Sequence, residues 1–168
     1  MIQLYFIYPL VIGYVIQAKE NNDMNHLQIV HAAAEHAEEL AAMNLEFNGV
    51  IVEEEQLRQY LDNRREIILL AMDGEQAAGF ICAQVFHSFC YERPNAEITE
   101  LYVREKAREQ GVAGRLVRQM EQELRNEGVK TVTILTSSYN EPAWKTYESA
   151  GYRTQEEAVF QRKLIPME

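Results

Sequence analysis

The sequence has too little cationic charge, too little cysteine and too short an apolar run for several classes of protein. Its 16 lysines and arginines face 26 aspartates and glutamates, a net charge of −10 at pH 7. Nucleic-acid affinity comes from cations on phosphates, so this acidity argues against a nucleic-acid partner. It either steers cationic ligands inward or serves only solubility. Two cysteines, Cys82 and Cys90, are too few for a disulfide framework and lack metal-ligand spacing. They read as reduced thiols of a cytoplasmic protein. His31 and His36 stand five apart, off the single helix face that a zinc pair needs, and no metal is expected. No apolar run reaches the roughly 20 residues of a membrane span. Low-complexity tracts, solenoid repeats and Gly/Ser linkers are absent, and 168 residues suit one domain.

The apolar stretch Leu4–Ile16 is broken by Pro9 and Gly13 and lacks the basic start and cleavage site of a signal peptide. Met1–Asp23 therefore reads as an N-terminal extension. Three origins stay open for it: a misplaced start, an interaction segment, or a weak membrane anchor. The domain is expected over Met24–Glu168.

Periodicity then sets out the elements. Leu27–Val30 is expected as a strand and Ala32–Met43 as a helix. Glu53–Leu61, with its acidic first turn, is a second helix after the Gly49 break. Glu66–Met72 and Gln76–Phe86 form a hairpin about Asp73-Gly74, with a bulge at Gly79. Ala96–Val103 is a strand. From Gly111, apolar residues recur every fourth position at Val112, Leu116, Met120 and Leu124, an amphipathic helix that stops at Gly128. Val129–Thr136 is a strand, Asn140 and Pro142 start a short helix ending at Gly151, and Glu156–Leu164 is a last strand. This order predicts a mixed α/β (α+β) domain, a sheet with helices on its faces.

The segment Leu101–Leu116 runs from a strand through a basic loop into a helix that starts at a glycine. Helix N-termini present free N–H groups and partial positive charge, which suit phosphate. Gly111 permits close approach, Ala113 keeps the first turn uncrowded, and Arg104, Lys106, Arg108, Arg115 and Arg118 gather cations in an acidic chain. The plain alternative is an amphipathic helix with a solvated arginine face. No nucleotide-triphosphate or dinucleotide glycine motif is present.

Two signatures in this order resemble the GNAT superfamily of acyl-CoA-dependent N-acyltransferases. Arg108-Glu109-Gln110-Gly111-Val112-Ala113 is similar to its pyrophosphate motif, with Glu109 standing where the family usually has glycine. Asn140, Ala143, Tyr147, Gly151 and Tyr152 are similar to its second signature. The resemblance covers about Leu27 to Leu164. It implies a central mixed, mostly antiparallel twisted sheet with helices on both faces. It also implies acetyl transfer from acetyl-CoA, as co-substrate, to a primary amine in a ternary complex.

Cofactor contacts are then expected from Leu101, Tyr102 and Val103 along the pantetheine arm, from Arg108, Glu109, Gln110, Gly111, Val112, Ala113 and Gly114 at the pyrophosphate, and from Asn140. Amide formation needs an amine stripped of its proton, which a carboxylate can take. The resemblance favours Glu97 as that base, with Glu100 either binding the substrate's ammonium or serving as the base in its place. The two are three apart, so an ideal strand turns them to opposite faces unless a bulge intervenes. Tyr147 is implied as the acid that reprotonates the thiolate, and a backbone N–H near Val103 as the oxyanion donor. The alternatives are a solvent-facing glutamate and a packing tyrosine. The acceptor pocket is expected between the Asn44–Val52 loop, the His87–Asn95 loop and the last strand. Phe47, Phe86, Phe89 and Tyr91 would wall it, and Glu92, Glu97 and Glu100 would make it acidic. That suits a small cationic molecule, with a peptide amine also open. Glu97–Val103 is also similar to the corresponding strand of aminoglycoside-modifying members. A non-catalytic acyl-CoA sensor, an interaction domain and a homodimer all remain open.

Overall fold

The computed structural model describes residues 26–62, 66–156 and 158–165. The expected N-terminal extension lies outside them. Among the described residues, five strands form one sheet in chain order: β1 (Leu27–His31), β2 (Glu66–Asp73), β3 (Gln76–Phe86), β4 (Asn95–Val103) and β5 (Thr131–Ile134). All neighbours are antiparallel except β4 and β5, which run parallel. A parallel pair needs a crossover, and α3 (Val112–Asn126) supplies it. The other helices are α1 (Ala37–Asn48), α2 (Glu54–Asp62) and α4 (Glu141–Ser149).

The alternation of β3 and β4 divides the apolar residues between two layers. Ile81, Ala83, Ala96 and Ile98 turn to one face and are covered by Val112, Leu116, Val117, Met120 and Leu124 of α3, with Tyr147 of α4 packed at the margin. The fourfold spacing seen in the sequence is the stripe that α3 buries. Each such side chain contributes roughly 1.5–3 kcal/mol on burial. Ile68, Leu70, Phe80 and Cys82 turn to the other face, beneath Leu40 and Met43 of α1 and Leu61 of α2. The expected mixed, mostly antiparallel sheet with helices on both faces is thus present.

Three details differ from expectation. The first helix begins with a 3-10 turn, Ala34–His36, and runs on to Asn48, where Gly49 closes it in the left-handed region at φ 74°. The β2–β3 register slips at Ala78, since Ala71 pairs with Gly79 and Met72 with Ala77. Gly79 itself answers a close approach: a Cβ there would stand 2.4 Å from the Tyr102 carbonyl oxygen. The last strand, Glu156–Leu164, does not form among the described residues. Val159, Phe160 and Leu164 are 70, 95 and 83% exposed. A strand needs a partner to satisfy its backbone, and its alternation alone provides none.

Candidate active site

Two features of β4 shape the site. The β3–β4 register shifts between Cys82 and Ala83: Cys82 faces Glu100 and Ala83 faces Ile98, leaving Thr99 as an extra residue. This bulge turns Glu97 and Glu100, three apart, to the same face. Glu97 lies opposite Gln84 and Glu100 opposite Cys82, and residues 82 and 84 share one side of β3. The second feature is a divergence. β4 pairs with β5 only from Asn95 to Ile98, so among the described residues Thr99–Val103 has no partner strand on that side.

The peptide groups along this free stretch can be assigned. The Arg104 N–H donates to Ala78 O at 2.9 Å, toward β3. Strand alternation then directs the backbone groups of Leu101 and Val103 away from β3, into the gap. The Arg108 Nε donates to Val103 O at 3.0 Å from that side. The gap joins the two faces of the sheet, with Glu97 and Glu100 on the α1–α2 side and Tyr147 on the α3–α4 side.

Beyond β4, a 3-10 turn (Glu105–Ala107) leads to α3. Gly111 is its N-cap, at φ 78° and with no side-chain cap over the first amides; the first bond of the helix runs from Arg115 N to Gly111 O at 3.1 Å. Val112 is buried, and Ala113 and Gly114 are partly exposed. Glu109 holds φ 60°, the only non-glycine residue at positive φ among the described residues. This left-handed backbone is what glycine adopts at least cost. The Gln110 side chain donates to Lys106 O at 2.8 Å and helps fold the loop.

The cationic cluster read from the sequence is smaller than it looked. Arg104 leaves it altogether. Its side chain, 14% exposed, donates to Glu39 of α1 at 2.9 Å and to the Ala77 carbonyl at 2.9 Å, and it pairs with Glu46 at 3.1 Å. Arg115 donates to Leu27 O at 2.6 Å, and Lys106 to Gln76 at 3.1 Å. Arg108 and Arg118 remain exposed beside the helix start.

Asn140 caps α4, its Oδ1 accepting from Ala143 N at 3.3 Å, which leaves its amide nitrogen to other partners. Tyr147 is half-buried against Tyr152, ring centroids 6.1 Å apart, and burial pushes its hydroxyl above the ordinary tyrosine range. Phe89 and Tyr91 lie on the loop between β3 and β4, 102% and 65% exposed, and make no ring contact among the described residues. Phe47 packs instead with Phe80 and Tyr102.

Sequence reasoning missed a second group of residues beside Glu100. Ligand atoms of Glu66, Cys82 and Glu100, from three adjacent strands, all lie within 4.8 Å of one another. The Tyr60 hydroxyl donates to Glu66 at 2.8 Å. Burial, with the Glu66 hydrogen bond and the neighbouring negative charges, pushes Tyr60 up to about 12. Burial first, then the charges of Glu66 and Glu100, raises the Cys82 thiol well above its ordinary value. Only the register of β2, β3 and β4 brings these residues together.

The sequence matches the acetyltransferase (GNAT) family over residues 33–152, and the chain belongs to that family. A crystal structure of a probable acetyltransferase is 30% identical, with a TM-score of 0.68, covering 84% of this chain and 98% of that one. An aminoglycoside acetyltransferase from an uncultured soil metagenomic sample, in complex with trehalose, is 20% identical with a TM-score of 0.74, covering 84% and 98%. The AAC(6')-Iy structure, in complex with a bisubstrate analogue of CoA and acetylneamine, is 21% identical with a TM-score of 0.72, covering 83% and 99%. At these lower identities the likeness is one of fold. No curated protein matches significantly. Among the described residues, no helix is long and apolar enough to cross a membrane.

Proposed function

We propose that this protein transfers an acetyl group from acetyl-CoA to a primary amine of a small cationic acceptor, by direct attack in a ternary complex. The observation that carries the reading is the divergence of β4 from β5 beside an uncapped helix start. A pantetheine arm laid in the gap would meet the peptide groups of Leu101 and Val103 that face it, with Tyr102 between them. Its pyrophosphate would meet the amides from Glu109 to Gly114, with Arg108 alongside. Asn140 would donate to the arm from its free amide nitrogen.

The acetyl group would then lie in the gap, reached from both faces. Glu97 takes the amine's proton, directly or through water, and the freed nitrogen attacks the thioester carbon. The Val103 N–H, facing the gap, suits the oxyanion that forms. As the intermediate collapses the C–S bond breaks, and Tyr147 gives its proton to the departing thiolate. Its hydroxyl makes no hydrogen bond to any described residue, and burial raises its pKa above the ordinary tyrosine range. Glu100, on the same face as Glu97, holds the acceptor's ammonium. Phe89 and Tyr91 enter only if their loop folds over a bound acceptor.

The test is release of CoA from acetyl-CoA across a panel of amines. Glu97→Gln should lower kcat/KM near neutral pH by about 100- to 10,000-fold, and rising pH should partly restore it as free amine accumulates. Glu100→Gln should raise KM more than it lowers kcat. No CoA release with any amine, beside measurable CoA binding, would favour a non-catalytic acyl-CoA sensor. That second reading draws on the carboxylate of Glu109, set beside the phosphate position in a glycine-like backbone.

A further inference from the structure

We infer that Glu66, Cys82 and Glu100 form a binding site for a divalent transition-metal ion of the zinc type. The three residues come from β2, β3 and β4, and their donor atoms already lie within 4.8 Å of one another. On a tetrahedral zinc ion, bonds of roughly 2.0–2.3 Å set two donors about 3.3–3.6 Å apart. Side-chain adjustment is therefore enough to close the three onto one ion.

The thiol makes this more than an acidic patch. Cys82 is 7% exposed, and its sulfur makes no hydrogen bond to any described residue. Its sulfur lies within 4.8 Å of a carboxylate oxygen of each glutamate. One sulfur with two oxygens is a donor set for a borderline-soft ion rather than for calcium or magnesium, which take oxygen alone. The carboxylate of Glu66 is already oriented by the Tyr60 hydroxyl at 2.8 Å, the kind of outer hydrogen bond that fixes ligands in metal sites.

On binding, the ion takes the Cys82 sulfur as thiolate, and the thiol proton passes to solvent. Three protein ligands leave a fourth position for water. The inference stands apart from acetyl transfer, because it is read from the metal alone. If both hold, the ion and the acceptor's ammonium compete for Glu100.

The test uses the full chain carrying Cys90→Ser, so that the exposed thiol cannot bind the probe. Co2+ should produce a thiolate-to-cobalt charge-transfer band that saturates at one equivalent and is bleached by Zn2+. Cys82→Ser should abolish the band. Glu66→Gln and Glu100→Gln, which keep the buried sulfur and so guard against a folding failure, should each weaken Co2+ binding roughly tenfold or more. Absence of the band in the Cys90→Ser protein would overturn the site. So would a band that survives Cys82→Ser, or unchanged Co2+ affinity in either glutamine variant.

Discussion

Glu109 is the residue where local backbone and proposed chemistry meet. A side chain at φ 60° costs roughly 1–2 kcal/mol relative to the ordinary right-handed regions. Glycine relieves that cost but gives back roughly 0.5–1 kcal/mol in chain entropy. Glu109→Gly should thus leave stability level or slightly higher. If acyl-CoA phosphates lie at the α3 start, removing an exposed like charge worth under about 1 kcal/mol should tighten CoA binding up to about fivefold. Titration calorimetry at low and high salt checks this, and the gain should shrink as salt rises. Tyr147 makes a complementary case. Because its hydroxyl has no hydrogen-bond partner among the described residues, Tyr147→Phe should change unfolding free energy by under about 0.5 kcal/mol. Turnover should nevertheless fall by about 100-fold or more, with CoA affinity kept. Burial raises the hydroxyl, so its protonated form persists as pH rises. The wild-type rate should accordingly show no alkaline loss from this group below about pH 10. Wild-type turnover in the phenylalanine variant would make Tyr147 a packing residue.

Among the elements, β4 carries most of what the sequence did and did not reveal. Its extent, its place before the α3 glycine and the stripe of α3 were all legible, because each depends on local periodicity. The bulge at Thr99 was not, because it is a property of register with β3; without it Glu97 and Glu100 look opposed. The cluster of Glu66 with Cys82 and Glu100 was hidden for the same reason. Arg104 was legible in principle. It shares parity with Tyr102, so it faces α1, and Glu39 and Glu46 stand seven apart on one side of that helix. The Tyr102 hydroxyl joins them, donating to Glu46 at 2.9 Å. At the Glu46 carboxyl, burial works to raise the pKa, but hydrogen bonds from Tyr102 and Arg104 and the charges of Arg104 and Lys106 together hold it below its ordinary value. Its contribution to stability is present above the unfolded carboxylate pKa and is lost as pH falls through the lower folded one. Arg104→Ala leaves Glu39 and Glu46 without their guanidinium partner in a partly buried seam, at a cost of about 1–3 kcal/mol once their partial exposure is allowed for. Denaturant unfolding measures that cost. CoA affinity should stay within about twofold, since the guanidinium is committed to α1. A large loss of affinity would return Arg104 to the phosphate cluster.

Across the whole molecule, a net charge of −10 must serve two substrates of opposite sign under the proposed reaction. A cationic acceptor is drawn in by the overall field, whereas acyl-CoA is repelled at long range and held by Arg108, Arg118 and the α3 amides at short range. Salt separates these terms, because exposed charges farther apart than the Debye length of about 10 Å at 0.1 M are screened while close contacts are screened much less. Raising ionic strength from about 0.01 to about 0.5 M should therefore lower kcat/KM for a dicationic amine by roughly tenfold or more, within the range that electrostatic steering supplies. A monocationic amine of similar size should lose less, and the Kd of CoA should move least. The slope of log kcat/KM against the square root of ionic strength should scale with acceptor charge. A slope indifferent to acceptor charge would mean that the acidity serves solubility alone. The acceptor's cationic character would then rest on Glu97 and Glu100 at contact distance, with nothing contributed by the rest of the surface.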